Sequence, residues 1–174
     1  MQDMNARSYI RVYAMTISQR VDRYLKGENI SYDTVNHPPS HSSVQSAIAA
    51  QVPLHSLAKA IILKDTASSN YLMAVIPASC RLPLKQVSDL TDTNLKLASE
   101  NDINQHFPDC QVGAIPPFGK PYNMEVIWDN RLGRIPDVYM EAGDHQTLIH
   151  LNQTSFQKTV EDELHEELSS LNNL

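Results

Sequence analysis

Short apolar runs bounded by polar and turn-forming residues dominate this chain, and they predict strands more often than helices. The two clearest runs, Leu57 to Leu63 and Tyr71 to Ile76, are separated by the polar stretch Asp65 to Asn70. Runs of this length, rich in branched and aromatic residues and joined by a short polar segment, are typical of a β-hairpin. Further short runs predict strands at residues 32–35, 95–97, 124–128, 138–142 and 147–151.

Capping patterns predict four helices around these strands. Each begins with Ser or Thr followed three residues later by an amide or acid, as in a capping box: Thr16 with Gln19, Ser42 with Gln45, Ser99 with Asp102, and Thr154 with Gln157. The first helix is predicted to stop at Gly27. The last is predicted to continue along an apolar stripe formed by Phe156, Val160, Leu164, Leu168 and Leu171. A weaker helical pattern covers Leu82 to Leu90.

These elements predict a mixed α/β fold, with a curved, largely antiparallel sheet or a small barrel and helices packed outside it. A length of 174 residues is sufficient for one ordinary domain. We expect that domain to span residues 15–174. Residues 1–14 lack clear periodicity and a helix start, so we expect a flexible extension there, with a tag remnant or a misassigned start as alternatives.

The charge distribution restricts the partners that we expect. The net charge is −6, but five acids, Glu161, Asp162, Glu163, Glu166 and Glu167, are concentrated near the C-terminus. We expect them to form the solvated face of the last helix. Without them the remaining fifteen acids nearly balance fourteen bases. With no broad basic surface, any nucleic-acid contact should be local, and we expect no DNA partner.

The sequence gives no indication of a membrane segment or an export signal. It lacks an apolar run of roughly 18–20 residues and a signal-peptide core, so we expect a soluble, cytoplasmic protein without membrane association.

Cys80 and Cys110 lack CxxC spacing, and we expect two reduced thiols. His37 and His41 have H-x3-H spacing, but two prolines separate them and no Glu follows His37. We therefore expect no metal site and no cofactor.

Lys59 is the first candidate for chemistry, because it lies in the otherwise apolar stretch LAKAIILK. Its alanine neighbours leave room for an anionic ligand beside the ammonium group. The alternative is a surface lysine on the polar face of an edge strand. Lys64 is five residues further along the strand, so it faces the opposite side and should be solvated.

Two turn-rich segments are the second candidate. GAIPPFG, from Gly113 to Gly119, combines glycines that can expose backbone N–H groups with prolines that fix the path of the chain. Such a loop can present amides to a carbonyl oxygen or a phosphate. The alternative is a purely structural proline loop. The second segment, EAGDH, runs from Glu141 to His145. The chain has no GxSxG, P-loop or Rossmann motif.

From Met15 onward, the chain resembles the YbaK/aminoacyl-tRNA synthetase-associated domain family. These proteins are trans-editing deacylases related to the editing insertion of bacterial prolyl-tRNA synthetase. The lysine strand LAKAIILK and the GAIPPFG loop carry the resemblance most specifically, followed by the hairpin VYMEAGDHQTLIHL at residues 138–151.

The resemblance implies hydrolysis, in trans, of the ester that joins a wrong amino acid to the terminal adenosine of a tRNA. It implies that Lys59 meets the terminal phosphate or ribose, that Gly113 offers a backbone amide near the scissile carbonyl, and that His145 is the histidine of the late turn. The implied substrate-binding residues are Ala114, Ile115, Pro116, Phe118, Gly143 and Asp144. The freestanding chain favours a small amino acid: alanine, serine, threonine or cysteine.

The implied partners are the acceptor end of a mischarged tRNA and, as a further candidate, an aminoacyl-tRNA synthetase. The main alternative is a non-catalytic module of the same fold that binds tRNA ends or a synthetase. An unrelated small-molecule hydrolase or a structural protein is the remaining alternative. Release of a labelled amino acid from mischarged tRNAs would distinguish the enzyme from the others.

Overall fold

The computed structural model of the chain describes residues 17–168 and the backbone of residues 170–171. The α-helices in this part are α1 (Gln19–Gly27), α2 (Ser43–Ala50), α3 (Leu84–Thr91), α4 (Glu100–His106) and α5 (Gln153–Val160). The strands are β1 (Asp33–Asn36), β2 (Leu57–Asp65), β3 (Tyr71–Pro77), β4 (Cys80–Arg81), β5 (Leu95–Leu97), β6 (Glu125–Asp129), β7 (Asp137–Glu141), β8 (Thr147–Asn152), β9 (Leu164–Glu166) and β10 (Ser170–Leu171).

Eight of these strands form one open mixed sheet with the order β1-β8-β7-β2-β3-β6-β9, in which β5 also pairs with β2. The predicted β2–β3 hairpin is confirmed, with a register from Ala58 opposite Pro77 to Lys64 opposite Tyr71. The β7–β8 and β1–β8 pairs are also antiparallel, whereas β2–β7, β3–β6 and β6–β9 are parallel. The mixed α/β prediction is therefore confirmed in its open-sheet form, because the sheet in the described part of the chain is not closed into a barrel.

Helices cover both faces of the sheet because its central strands bury side chains on both sides. On one face, Val21 and Leu25 of α1 and Phe156 of α5 pack with Met73 and Ile149 in the largest apolar cluster. On the other face, a second cluster contains Leu63, Ile76 and Val87 of α3, among others. A third contains Ala47 of α2 and Leu148. The sheet is thus held at a fixed position between its helices.

The middle of β2 has no neighbouring strand on one edge. Strand β7 pairs with Leu57 and Ala58, and β5 pairs only from Leu63 onward. The N–H of Ala98 reaches the carbonyl oxygen of Ile62 at 2.9 Å. Between these contacts, Ala60 has no backbone partner on this edge among the described residues. The edge of β2 between its pairings with β7 and β5 is therefore open, and a cleft lies beside it.

The cap predicted for the first helix is wrong by two residues. Residues 1–16, including the predicted extension 1–14, lie outside the described residues, and α1 begins after Ser18 instead of Thr16. The Ser18 hydroxyl accepts from the N–H of Val21 and also bonds to Asp109 and Tyr122. These distant contacts select the cap. The predicted caps Ser42 and Ser99 are confirmed.

The predicted C-terminal helix is correct only in its first half. Helix α5 ends at Val160, Asn152 caps it instead of Thr154, and the following residues form β9 beside β6. Leu164 is consequently 52% exposed, whereas Leu168 is fully buried in the second cluster. The apolar spacing was compatible with a helix, but pairing satisfies backbone groups on the open edge of β6.

The acidic run is therefore not the face of a helix. The Glu163 carboxylate accepts a hydrogen bond from the N–H of Val126 at 3.3 Å, and burial raises the pKa of Glu163 above its ordinary value. Glu167 forms an ion pair with Arg131 at 2.8 Å. Asp162 lies 3.7 Å from the ammonium group of Lys120, so three of the five acids contact residues outside the C-terminal segment.

Candidate functional site

A polar cleft lies at the unpaired edge of β2. Three segments far apart in sequence surround it: the start of α2, the loop after α4, and the turn between β7 and β8. The lining residues are His41, Ser42, Ser43, Ser46, Leu57, Ala58, Lys59, Ala60, Gly113, Ile115, Glu141, His145 and Leu148. The fold therefore places four of the residues predicted from sequence around one opening: Lys59, Gly113, Ile115 and His145.

Lys59 is half-buried, and its ammonium group donates a 2.6 Å hydrogen bond to the carbonyl oxygen of Cys80. It forms no salt bridge within residues 17–168. Burial lowers the pKa of Lys59 below its ordinary value; the charge of Arg81 acts in the same direction, while Cys80 opposes it. An ammonium held by one carbonyl oxygen keeps two donors for a further acceptor. Lys59 can therefore bind an anion in the cleft.

The loop at Gly113 supplies backbone donors. Gly113 has a φ of +83°, a left-handed conformation that glycine adopts without strain. Neither its N–H nor that of Ile115 has a hydrogen-bond partner among the described residues, whereas the N–H of Ala114 donates to the carbonyl oxygen of Gln111. Pro116 has no N–H to donate. Gly113 and Ile115 are therefore the backbone donors that this loop has available at the cleft.

A carboxylate organises the turn between β7 and β8. One oxygen of Glu141, Oε1, accepts hydrogen bonds from the N–H groups of Gly143, Asp144 and His145 at 2.9, 3.2 and 3.2 Å. His145 has a φ of +61°, which is unusual for a residue other than glycine. The carboxylate stabilises this backbone conformation, and with it the position of the His145 ring.

The His145 ring contacts the Gly113 loop. Its Nε2 lies 2.7 Å from the carbonyl oxygen of Val112. Because a carbonyl oxygen only accepts, this bond assigns the proton to Nε2 and leaves the lone pair of the neutral ring on Nδ1. The His41 ring lies nearby, with its centroid 6.0 Å from that of His145. The cleft therefore contains an imidazole with a defined orientation, and its acceptor nitrogen Nδ1 has no hydrogen-bond partner among the described residues.

The other predicted substrate-binding residues lie behind the lining. Ala114, Pro116 and Phe118 are buried, and Phe118 packs against Tyr24 in the main core. Gly143 accepts from the N–H of Gln111 at 2.8 Å. Asp144 uses its carboxylate within the turn, where it accepts from the N–H groups of Gln146 and Thr147 and from the Thr147 hydroxyl. These residues shape the loop and the turn.

Nine of the thirteen lining residues were not predicted as site residues from the sequence, and five of these nine are polar: His41, Ser42, Ser43, Ser46 and Glu141. Ser42 was recognised as a helix cap and Glu141 as the start of a turn, and no local pattern connects them to Lys59. Ser46 is buried, and its hydroxyl lies 2.7 Å from that of Ser40, whose N–H donates to the carbonyl oxygen of His145. Helix α2 is thus joined to the His145 turn.

Residues 17–168 contain no group of three or more His, Cys, Asp or Glu side chains arranged to hold a metal ion. His37 is buried and its Nδ1 lies 2.8 Å from the carbonyl oxygen of Pro38, while His41 faces the cleft. The two cysteines are free thiols.

No helix in the described part is long and apolar enough to cross a membrane.

An open mixed sheet with helices on both faces and a polar cleft at the edge of a central strand places the chain among mixed α/β proteins. Comparison with family models identifies it further. The aminoacyl-tRNA editing domain model matches residues 37–159, which include the whole cleft. The chain belongs to this family, and the resemblance noted from the lysine strand and the GAIPPFG loop is confirmed. No curated protein matches the chain significantly.

Solved structures have the same fold. The crystal structure of the hypothetical protein APE2540 superposes with a TM-score of 0.76 at 20% sequence identity, covering 87% of this chain and all of the other. A candidate trans-editing enzyme for prolyl-tRNA synthetase gives a TM-score of 0.75 at 16% identity, covering 88% of this chain and 96% of its own. At these identities the likeness shows a common fold.

Proposed function

We propose that this protein is an aminoacyl-tRNA deacylase that acts in trans on the acceptor end of mischarged tRNA in the cytoplasm. The observation that carries the proposal is the convergence of Lys59, Gly113 and His145 on one cleft within an aminoacyl-tRNA editing domain. A tRNA acceptor end is the macromolecular partner, and an aminoacyl-tRNA synthetase is a further candidate partner.

The proposed roles follow from the charge and hydrogen-bonding capacity of each group. Lys59 binds the terminal phosphate or ribose through a charge-assisted hydrogen bond. The N–H of Gly113 donates to the ester carbonyl oxygen as negative charge develops there, and the Ile115 N–H is a second available donor. Nδ1 of His145 accepts a hydrogen bond from the attacking water or from the ribose hydroxyl.

In this scheme, the oxygen of a water molecule forms a bond with the ester carbonyl carbon. The bond between that carbon and the ribose oxygen then breaks. His145 Nδ1 accepts a proton from the water and returns it to the ribose oxygen as that oxygen leaves. The products are the free amino acid and the tRNA. Neither Lys59 nor a metal ion is required as the base in this scheme.

The walls of the cleft favour a small amino acid. Ala58 and Ala60 of β2 contribute only methyl groups, and Leu57, Ile115 and Leu148 are the larger apolar residues of the lining. Ser42, Ser43 and Ser46, at the start of α2, also line the cleft. Alanine, serine, threonine and cysteine are therefore the side chains that we propose as substrates.

The test is release of labelled amino acid from a panel of tRNAs mischarged with these four residues, alongside correctly charged tRNAs. We expect the wild-type protein to accelerate hydrolysis of at least one of the four and to leave larger amino acids attached. Binding of the acceptor end without any hydrolysis would contradict the enzymatic function and support the non-catalytic module. Absence of both would contradict both functions.

A further inference from the structure

Glu141 is the only carboxylate among the residues that line the cleft. Three backbone N–H groups of the turn share its Oε1, whereas its Oε2 accepts no hydrogen bond from the residues that the structure describes. It also forms no ion pair within this part of the chain. The carboxylate therefore has one oxygen that stabilises the turn and a second that remains available to a ligand.

The proposed substrate carries two charges close to the scissile ester. The phosphate that precedes the terminal adenosine is anionic, and the α-amino group of an aminoacyl ester is cationic near neutral pH. The cleft offers one cation, Lys59, and one carboxylate, Glu141, and they form no salt bridge with each other. Two opposite charges that are not paired with each other are complementary to a ligand with opposite charges at its two ends.

We propose that Glu141 Oε2 binds the α-ammonium group of the aminoacyl moiety, an inference that rests on the proposed function. This contact orients the ester so that its carbonyl lies beside the Gly113 loop. It also makes a free α-amino group a requirement for tight binding. An ester that carries a neutral group at the same position binds more weakly, whatever its side chain.

The position of Glu141 relative to His145 supports this assignment. Oε1 of Glu141 bonds to the backbone N–H of His145, and the His145 ring bonds to the carbonyl oxygen of Val112, the residue before Gly113. Hydrogen bonds therefore connect Glu141 with the two groups proposed to act on the ester, the N–H of Gly113 and Nδ1 of His145. A ligand bound to Glu141 is held close to both. The second acid of the turn, Asp144, uses both of its oxygens within the turn and does not line the cleft.

The experiment compares two stable analogues that end in 3′-amido-3′-deoxyadenosine on a short acceptor-end oligonucleotide. One carries an alanyl group and the other a lactyl group, in which a neutral hydroxyl replaces the ammonium. Dissociation constants are measured by calorimetry at pH 6.5. We expect the wild-type protein to bind the alanyl analogue about 10-fold to 100-fold more tightly, the range of a charge-assisted contact.

Glu141→Gln separates the two roles of the side chain. The Gln oxygen can still accept from the three N–H groups of the turn, while an NH2 group replaces the free oxygen. We expect this variant to remain folded. Its dissociation constants for the two analogues should lie within about 2-fold of each other, because the negative charge that favours the alanyl analogue is absent. Glu125→Gln is the matched control, because Glu125 is exposed and lies outside the cleft. It should keep the wild-type preference.

Equal binding of the two analogues by the wild-type protein would overturn the inference, as would an unchanged preference in Glu141→Gln. Hydrolysis assays on the same proteins distinguish this failure from failure of the proposed function. If mischarged tRNA is hydrolysed but the preference is absent, only the role of Glu141 is wrong. If the Glu141-dependent preference is present but no tRNA is hydrolysed, the ammonium site stands and the deacylase function is wrong.

Discussion

The His145 ring bonds through Nε2 to the carbonyl oxygen of Val112, 2.7 Å away and 33 residues earlier in the chain. This bond joins the turn between β7 and β8 to the loop that contains Gly113. Since Glu141 holds the backbone of the same turn, movement of either segment would displace the other.

Replacing Lys59 with Ala should lower deacylation about 10-fold to 100-fold, because a charge-assisted contact with the substrate is lost. The fold should remain, since the ammonium group makes only one hydrogen bond, to Cys80, and no ion pair within residues 17–168. Turnover of mischarged tRNA and circular dichroism provide the measurements. Lys85→Ala is the control: its side chain is 89% exposed and pairs only with Asp89. Wild-type turnover in Lys59→Ala would contradict the assigned role.

Gly113→Val should lower turnover by about 100-fold or more, because the added side chain would occupy the space that the ester needs beside the Gly113 N–H; loss of that contact is comparable to removal of an oxyanion donor. It should also lower stability by about 1–3 kcal/mol, because a branched residue is strained at a φ of +83°. A Cβ at this position would be 3.7 Å from Cε1 of His145, an ordinary contact, so strain rather than collision sets the stability cost. Turnover and thermal unfolding should be measured together.

Gly27→Ala is the matched control for the Gly113 variant. A Cβ there meets no atom within 4 Å, so the substitution should be neutral or stabilise by up to about 1 kcal/mol. It should not change turnover. A folded Gly113→Val protein with normal deacylation would remove the loop from the active site.

His145→Asn should lower turnover by about 100-fold or more with little loss of stability. Asn tolerates the positive φ of 61° better than most residues, but it lacks the imidazole that bonds to Val112 and offers Nδ1. His145→Val should lower stability as well, since a β-branched residue is strained in this conformation. Urea denaturation of both variants checks the difference. If Asn and Val destabilise equally, the backbone conformation of His145 has no bearing on stability.

Asp102 should make stability depend on acidity. Hydrogen bonds from Tyr71 and Ser99, and the ion pair with Lys64, hold the pKa of Asp102 well below its ordinary value. The folded state therefore binds this proton less readily than the unfolded chain, whose Asp pKa is about 3.9. The stabilisation is complete above that pH and is lost as the pH falls toward the folded-state pKa.

Comparison with Asp102→Asn isolates this contribution. The wild-type protein should be more stable than the variant at pH 6, and the difference should shrink progressively below about pH 4. Urea midpoints at pH 6, 5, 4 and 3 provide the measurement. A difference that is constant over this range would show that Asp102 acts without its charge.

Binding to tRNA should depend only weakly on salt. Five of the cations, Lys26, Lys64, Lys85, Lys120 and Arg131, are already in ion pairs with acids of the same chain. Of the nine other Lys and Arg residues, Lys59 is the one that lines the cleft. The salt dependence should therefore correspond to about one or two phosphate contacts. A minihelix with the same ester should react nearly as well as whole tRNA. A large loss with the minihelix would show that contacts outside the acceptor stem select the substrate.

Several elements could be predicted because their determinants lie within a few residues of each other. The β2–β3 hairpin follows from two apolar runs and a short polar connection, and the caps at Ser42 and Ser99 follow from single side chains that accept nearby N–H groups. The lysine strand and the GAIPPFG loop were equally visible as local motifs, and they were sufficient to identify the family.

The rest depended on contacts that local patterns do not encode. The stretch Leu164–Glu166 had helical spacing, but the free edge of β6 made it a strand. Phe118, in the same loop as Gly113, faces the core, because the course of that loop is fixed by packing against α1.

The sequence by itself determined the local elements and the residues capable of the chemistry. The tertiary structure decided which of them meet, because the cleft lies beside the start of β2, where the pairing with β7 stops after Ala58 and the pairing with β5 has not begun. Residues of α2 and Glu141 lie beside Lys59 in this cleft. They are too far apart in sequence for periodicity or capping patterns to predict that they meet. Strand order and register, which arise from burial on both faces of the sheet, therefore set the composition of the site.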